Sequence, residues 1–362
     1  MAHNPDHPPH RTGFPSLTGI RGLAAAIVFL NHIGYLIGAT AIAGVWHALR
    51  PVSITGVICF FTLSGFLLSQ PGSLRGGVRS FWRRRAARIL PVYWFILILS
   101  AAYLLIRSTD DARLRPLNVL LNVVLLQSWS PRGQDASINL PSWSLSVELL
   151  FYIAIPLLLP SLARWFSRWP RASLVAVGIL GAIGSLSLEF GWVNNTLPLA
   201  YFPIFLLGVH AAVTAKAHLP LQWAVAAAAI GVISYPILHN YLIPAFGFMF
   251  LIASLADRDR LGHPSWLAGR SWKRFGEWSY AFFLVHVLVI DAAGVALSSS
   301  PRSTVVGLGA CVVAFVASWV LAAVIYRVVE EPMRLRLSRS PKPPTPTPTV
   351  SATTSESLTE TG

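Results

Sequence analysis

Residues 16–34 read SLTGIRGLAAAIVFLNHIG, and the apolar run that grows out of them, 20–39, is long enough to cross a bilayer as a helix. Arg21 interrupts it near the start and His32 near the middle, with Asn31 the other strongly polar side chain. The spacing is close to three helical turns, so Arg21 and His32 share one face, about 16 Å apart along the axis. Taken alone, both have ordinary explanations: Arg21 snorkels to the lipid surface and His32 makes one interhelical hydrogen bond. What surrounds them in the chain shifts the weight toward function.

With 362 residues, 54% hydrophobic and 12% charged, and a mean hydropathy of +0.60, the chain reads as a multi-pass cell-membrane protein and not a soluble one. Many of its 13 Trp stand at the ends of apolar runs, where the membrane interface favours them. A formal net charge of +14 invites a nucleic-acid partner, but the Arg residues gather in short segments between apolar runs, as cytoplasmic loops do, so no nucleic acid is expected. Cys59 and Cys311 both lie inside apolar runs and predict neither a disulfide framework nor a metal centre. The start, 1–15, is rich in Pro and His without an apolar core, so it is no signal peptide, and a disordered tail explains His3, His7 and His10 better than a metal does. The end, 337–362, is Pro/Thr/Ser-rich and is expected to be a disordered cytoplasmic tail.

Between the tails, 16–336 reads as one all-α domain, a polytopic membrane helix bundle of about ten transmembrane helices. The expected spans are 20–39, 54–69, 89–106, 143–160, 172–190, 197–214, 221–238, 241–256, 278–297 and 305–326. A further run, 117–129, is too short to cross and is expected to lie flat or re-enter. An even number of crossings puts both termini on one side. Most of the 28 Lys and Arg fall on that side, which makes it cytoplasmic.

Four further segments carry candidate chemistry. In FFTLSGFLL (60–68), Thr62, Ser64 and Gly65 let another backbone approach. In RGGVRSFWRRRAARILPVYW (75–94), Arg83, Arg84, Arg85 and Arg88 form either a plain cytoplasmic loop or an anion site, since each guanidinium can grip a phosphate. In NLPSWSLSVELLFY (139–152), Ser144, Glu148 and Tyr152 recur every fourth residue and share a face, with a carboxylate about 9 Å into the span. Glu148 and His32 could lie at similar depth, where the carboxylate would orient the imidazole; a structural hydrogen bond is the plainer alternative. In WSYAFFLVHVLVI (278–290), Ser279 and His286 lie two turns apart on one face. The closing VVEEPMRLRL (328–337) reads as structural, with Pro332 ending the helix.

Together these segments resemble the integral-membrane acyltransferase 3 family of O-antigen, nodulation-factor and macrolide O-acyltransferases, over most of 16–336. The most specific element is Arg21, ten residues, then His32; supporting matches are FFTLSGFLL, the basic run before LPVYW, SWSLSVELLFY, SYAFFLVH and the closing EEP. Where many members have an Asp, this chain has Thr18, so no acid is expected there. The chain shows no match to the extracytoplasmic hydrolase-like domain of some members, so the membrane part is expected to act alone or with a separate partner. The resemblance implies an O-acyltransferase moving an acyl group, acetyl above all, from cytoplasmic acyl-CoA to a hydroxyl of a carbohydrate or glycosylated small molecule. Acyl-CoA is then a co-substrate, with no permanently bound cofactor and no metal. On this reading the CoA phosphates dock at Arg83, Arg84, Arg85 or Arg88, and the pantetheine arm runs from Arg21 toward His32. His32 is the general base oriented by Glu148, and Ser64, Ser144, Tyr152 and His286 wall the site. The alternative is a proton-coupled glycan transporter or flippase using the same polar groups.

Overall fold

The computed structural model describes residues 13–338 except 39, 109–110, 192, 195, 215–218 and 299–302. Most of both expected tails, including His3, His7 and His10, lies outside the described residues. Among the described residues there is no β-strand. Ten long helices make the body: α1 Pro15–His32, α2 Ile54–Leu68, α3 Gly77–Arg107, α4 Trp143–Arg168, α5 Pro170–Glu189, α6 Pro198–Thr214, α7 Leu221–Leu238, α8 Leu242–Arg260, α9 Arg270–Ala296 and α10 Thr304–Ile325.

Each expected span coincides with one of these helices, but eight segments, not ten, are long and apolar enough to cross a membrane by themselves. The other two are α6, with 17 residues, and α8, which ends in Asp257, Arg258, Asp259 and Arg260. Both are enclosed by neighbours: Phe205, Leu207 and Val209 of α6 and Ala245, Ile252 and Ala256 of α8 are fully buried. A helix clad in other helices does not need a lipid-length apolar run. By contrast α10 turns Val305, Val312, Val313 and Val316 outward, as a helix solvated by lipid would.

Close backbone approach sets the packing around the site. A Cβ on Gly65 of α2 would stand 2.0 Å from the carbonyl oxygen of Phe205, and one on Gly208 of α6 would stand 2.0 Å from that of Thr62. The small residues of FFTLSGFLL thus seat α6 directly on α2. At its start, α1 is fixed by Asp259, whose carboxylate accepts from the Ser16 backbone N–H at 2.9 Å and the Ser16 hydroxyl at 2.7 Å. A carboxylate there satisfies an orphan amide and meets the positive end of the helix dipole. Thr18 turns its hydroxyl to the Phe14 carbonyl.

The run 117–129 forms a short helix, Pro116–Val123, followed by a turn at Gln127–Trp129. Leu117, Leu120 and Val124 are exposed, whereas Asn118 and Asn122 are buried. Asn122 donates to the carbonyls of Asn118 and Ala136, each at 2.7 Å, and accepts from the Ile138 amide. The helix therefore lies with its apolar face outward over a hydrogen-bonded polar floor.

Candidate active site

The basic run is part of α3 and not a loop, because the helix begins at Gly77 and continues through Pro91. Helical spacing then sorts the arginines. Phe81, Arg85, Arg88, Val92 and Ile96 follow one another at intervals of three or four, and the three apolar members are fully buried. Arg85 and Arg88 consequently face inward and line a cavity of about 100 Å³. Arg83 is exposed. Arg84 donates to the Ser73 and Arg75 carbonyls at 2.8 and 2.9 Å and to the Ser80 hydroxyl at 2.6 Å, pinning the turn before the helix. Neither of these two borders the cavity, which corrects their expected place in an anion site.

Arg21 of α1 reaches the same cavity, together with Ser64 of α2, Ser144, Glu148 and Tyr152 of α4 and Ser279 and Tyr280 of α9. The four-residue period of Ser144, Glu148 and Tyr152 thus does place all three on one cavity wall. The Ser64 hydroxyl donates to Glu148 at 2.5 Å. The Nε of Arg85 is buried without a hydrogen-bond partner, a donor held open in a cavity rich in guanidinium groups. Such a chamber favours the tip of an anionic or carbonyl-bearing chain; at about 100 Å³ it is too small for a nucleotide.

His32 is elsewhere. It lines a second cavity, of about 290 Å³, with Asn31, Tyr35, Trp46, Arg50, Leu140 and Trp143. Phe61, from the wall of the first cavity, meets Trp143, from the wall of the second, edge-on at 6.4 Å between ring centroids. Arg21 and His32 thus border different cavities, where their shared helix face predicted a single passage. Glu148 and His32 make no hydrogen bond: the carboxylate is held by Ser64, while Asn31 Nδ2 lies 3.4 Å from His32 Nε2 and the His286 ring 5.1 Å from that of His32. The expected hydrogen bond from Glu148 to His32 is thus not found among the described residues, and the two side chains border different cavities. A third cavity, of about 680 Å³, shares Gly34 and Tyr35 with the second and is bordered by Arg107, Asp111, Arg113 and Asp291. There Arg113 grips Asp111 and holds its carboxyl below the usual carboxylate range.

One carboxylate expected as a structural charge at the interface is instead enclosed. Glu330 is buried, with Oε2 lacking a partner, and its charged neighbours include Arg88 and Arg21. It ends a π-helical turn, Tyr326–Glu330, after which the helix resumes as Glu331–Ser338. Pro332 therefore does not end the helix; the wide turn absorbs its missing N–H. The signal that could have found Glu330 was an acidic pair, Glu330 and Glu331, just ahead of Pro332 inside a helical pattern, where a π-turn accommodates the proline.

The family model described as an acyltransferase domain matches residues 14–323. The chain belongs to the acyltransferase 3 family. Among curated relatives of this acyltransferase, Acyltransferase MdmB of Streptomyces mycarofaciens is 30% identical over 368 residues, covering 91% of this chain and 94% of that one. Nodulation protein 10 of Rhizobium leguminosarum bv. viciae is 25% identical over 378 residues, covering 91% and 95%. No solved structure matches the acyltransferase. Family and fold together make it a membrane acyltransferase whose apolar helices can span the bilayer.

Proposed function

We propose that this protein is an acyl-CoA-dependent O-acyltransferase, transferring an acyl group, most simply acetyl, to a hydroxyl of a carbohydrate or glycosylated acceptor. One observation carries the reading: Arg21, Arg85 and Arg88 converge on one chamber while His32, farther along the Arg21 helix, opens into another. The basic end and both termini face the cytoplasm, following the distribution of Lys and Arg. CoA phosphates rest at the mouth against Arg85 and Arg88, since guanidinium groups bind phosphate through paired hydrogen bonds. The end of the pantetheine arm enters past Arg21. Glu148, fixed by Ser64, balances the guanidinium charge and offsets the repulsion among the arginines.

The acceptor enters the His32 chamber from the other side, where Trp46, Tyr35 and Trp143 offer faces for a sugar ring and Arg50 a donor for its hydroxyls. His32 Nε2 removes the hydroxyl proton as the oxygen attacks the thioester carbonyl, and the CoA thiolate leaves. Transfer requires the aromatic side chains to part, so the thioester stays shielded from outside water until an acceptor is seated.

Two chambers on either side of an aromatic contact also suit a proton-coupled glycan carrier. Membranes containing the protein are given radiolabelled acetyl-CoA together with glycan and glycolipid extracts of the host. Label appearing in a sugar-containing product supports the transferase; movement of unlabelled glycan without use of acetyl-CoA overturns it in favour of transport.

A further inference from the structure

His286 of α9 is fully buried, with the rings of Phe29, His32, Phe282 and Phe283 around it at centroid distances of 6.0, 5.1, 5.8 and 6.1 Å. Its Nδ1 lies 3.2 Å from the Phe282 carbonyl oxygen one turn back. A carbonyl only accepts, so the proton of the neutral ring is on Nδ1 and Nε2 holds a lone pair. That Nε2 is buried and has no partner. Among the four rings packed on it, His32 alone has an N–H to offer.

The proton on His32 can be assigned by the same logic. Arg50 Nε donates to Asn31 Oδ1 at 3.3 Å, and a guanidinium has no acceptor, so the Asn31 oxygen must point toward it. The Asn31 NH₂ is then the group that faces His32 Nε2 at 3.4 Å. An NH₂ only donates, so Nε2 of His32 bears the lone pair and Nδ1 the proton. One imidazole has a proton to give, and its neighbour has an empty acceptor.

We infer that His286 is the positioning residue of the site: no hydrogen bond joins the two rings at rest, and a turn of the His32 ring, 5.1 Å away between centroids, brings its Nδ1–H onto the empty Nε2 of His286 and fixes the tautomer whose Nε2 takes the acceptor's proton. This rests on His32 being the base in the proposed reaction. His286 thus fills the role expected of Glu148, and does so without adding a second charge to an apolar enclosure. When His32 takes the acceptor's proton on Nε2, its Nδ1–H stays hydrogen-bonded to His286, and no proton passes on to the second ring. The phenylalanine carbonyl behind His286 completes the relay of orientation: carbonyl, imidazole, imidazole, hydroxyl.

The test is nitrogen NMR of the full chain in lipid nanodiscs, labelled with ¹⁵N-histidine, above pH 7, with His32 resonances assigned by comparison with His32→Asn. The expected result is His32 in the Nδ1–H form, and loss of that single tautomer in His286→Phe. Acyl transfer from acetyl-CoA then falls about tenfold to a hundredfold in kcat, with the KM for acetyl-CoA unchanged. His286→Gln, whose amide oxygen still accepts, restores most of the rate. Wild-type His32 in the Nε2–H form or as a mixture of tautomers overturns the inference, as does a His286→Phe protein with unaltered rate and spectrum. The spectrum is read on wild-type protein without substrate, so it is judged separately from an active His32→Ala enzyme, which instead overturns the base assignment.

Discussion

The two chambers on either side of the Phe61–Trp143 contact differ in how they hold polar groups inside a membrane domain. The inner one concentrates full charges, Arg21, Arg85, Arg88 and Glu148, and a serine hydroxyl fixes the carboxylate. The outer one relies on neutral rings and amides, with His32, Asn31, Tyr35 and two tryptophans, and a single guanidinium, Arg50. Charge suits a chamber that, on the proposed function, attracts a polyanionic donor. A base, by contrast, works best where few fixed charges bias its protonation, and the two tasks are therefore better kept apart along one helix.

The sharpest way to break this comparison is at His32. His32→Ala and His32→Gln are each expected to lower transfer from acetyl-CoA by about 10²–10⁴-fold at normal protein level, with little change in the KM for acetyl-CoA. A matching rise in that KM would mean that the donor, not the acceptor, occupies the outer chamber. Next come the arginines: Arg85→Ala or Arg88→Ala should raise the KM for acetyl-CoA about tenfold, whereas Arg83→Ala, an exposed position, changes it less than about twofold. Equal effects at all three would return the basic run to a diffuse attraction. The smallest expected change is at the divide. Phe61→Leu thins the aromatic contact while preserving most of the core volume, and should raise acceptor-independent hydrolysis of acetyl-CoA about two- to fivefold, measured as thiol release.

The existence of α1 was legible, because a long apolar run with a cation and an imidazole three turns apart has few other readings, although the helix starts at Pro15 and stops at His32 where the run predicted 20–39. So was the shared face of Ser144, Glu148 and Tyr152, which local periodicity alone sets. Which arginines mattered could have been read too, had the helical pattern been traced back from Ile96 through Val92 to Phe81; treating the basic run as a loop hid it. Partner choice was another matter. Glu148 and His32 seemed matched in depth, but depth is one coordinate and says nothing of which cavity each side chain borders. Glu330 was read as an interface charge since its burial depends on how the end of the last helix folds back on α3.

By itself, then, the sequence determined an all-α membrane bundle of the acyltransferase 3 family, with its polar residues assigned to particular helix faces. The bundle and the helix faces follow from composition and from the 3.6-residue period, both of which are local, and the family from motifs that recur in a shared order. Only the tertiary structure decided that Arg21 and His32 border different cavities, that Glu148 answers to Ser64, and that His286 stands beside His32. Each of these depends on the rotation of one helix against another, fixed by close contacts such as those of Gly65 and Gly208, between residues far apart in the chain.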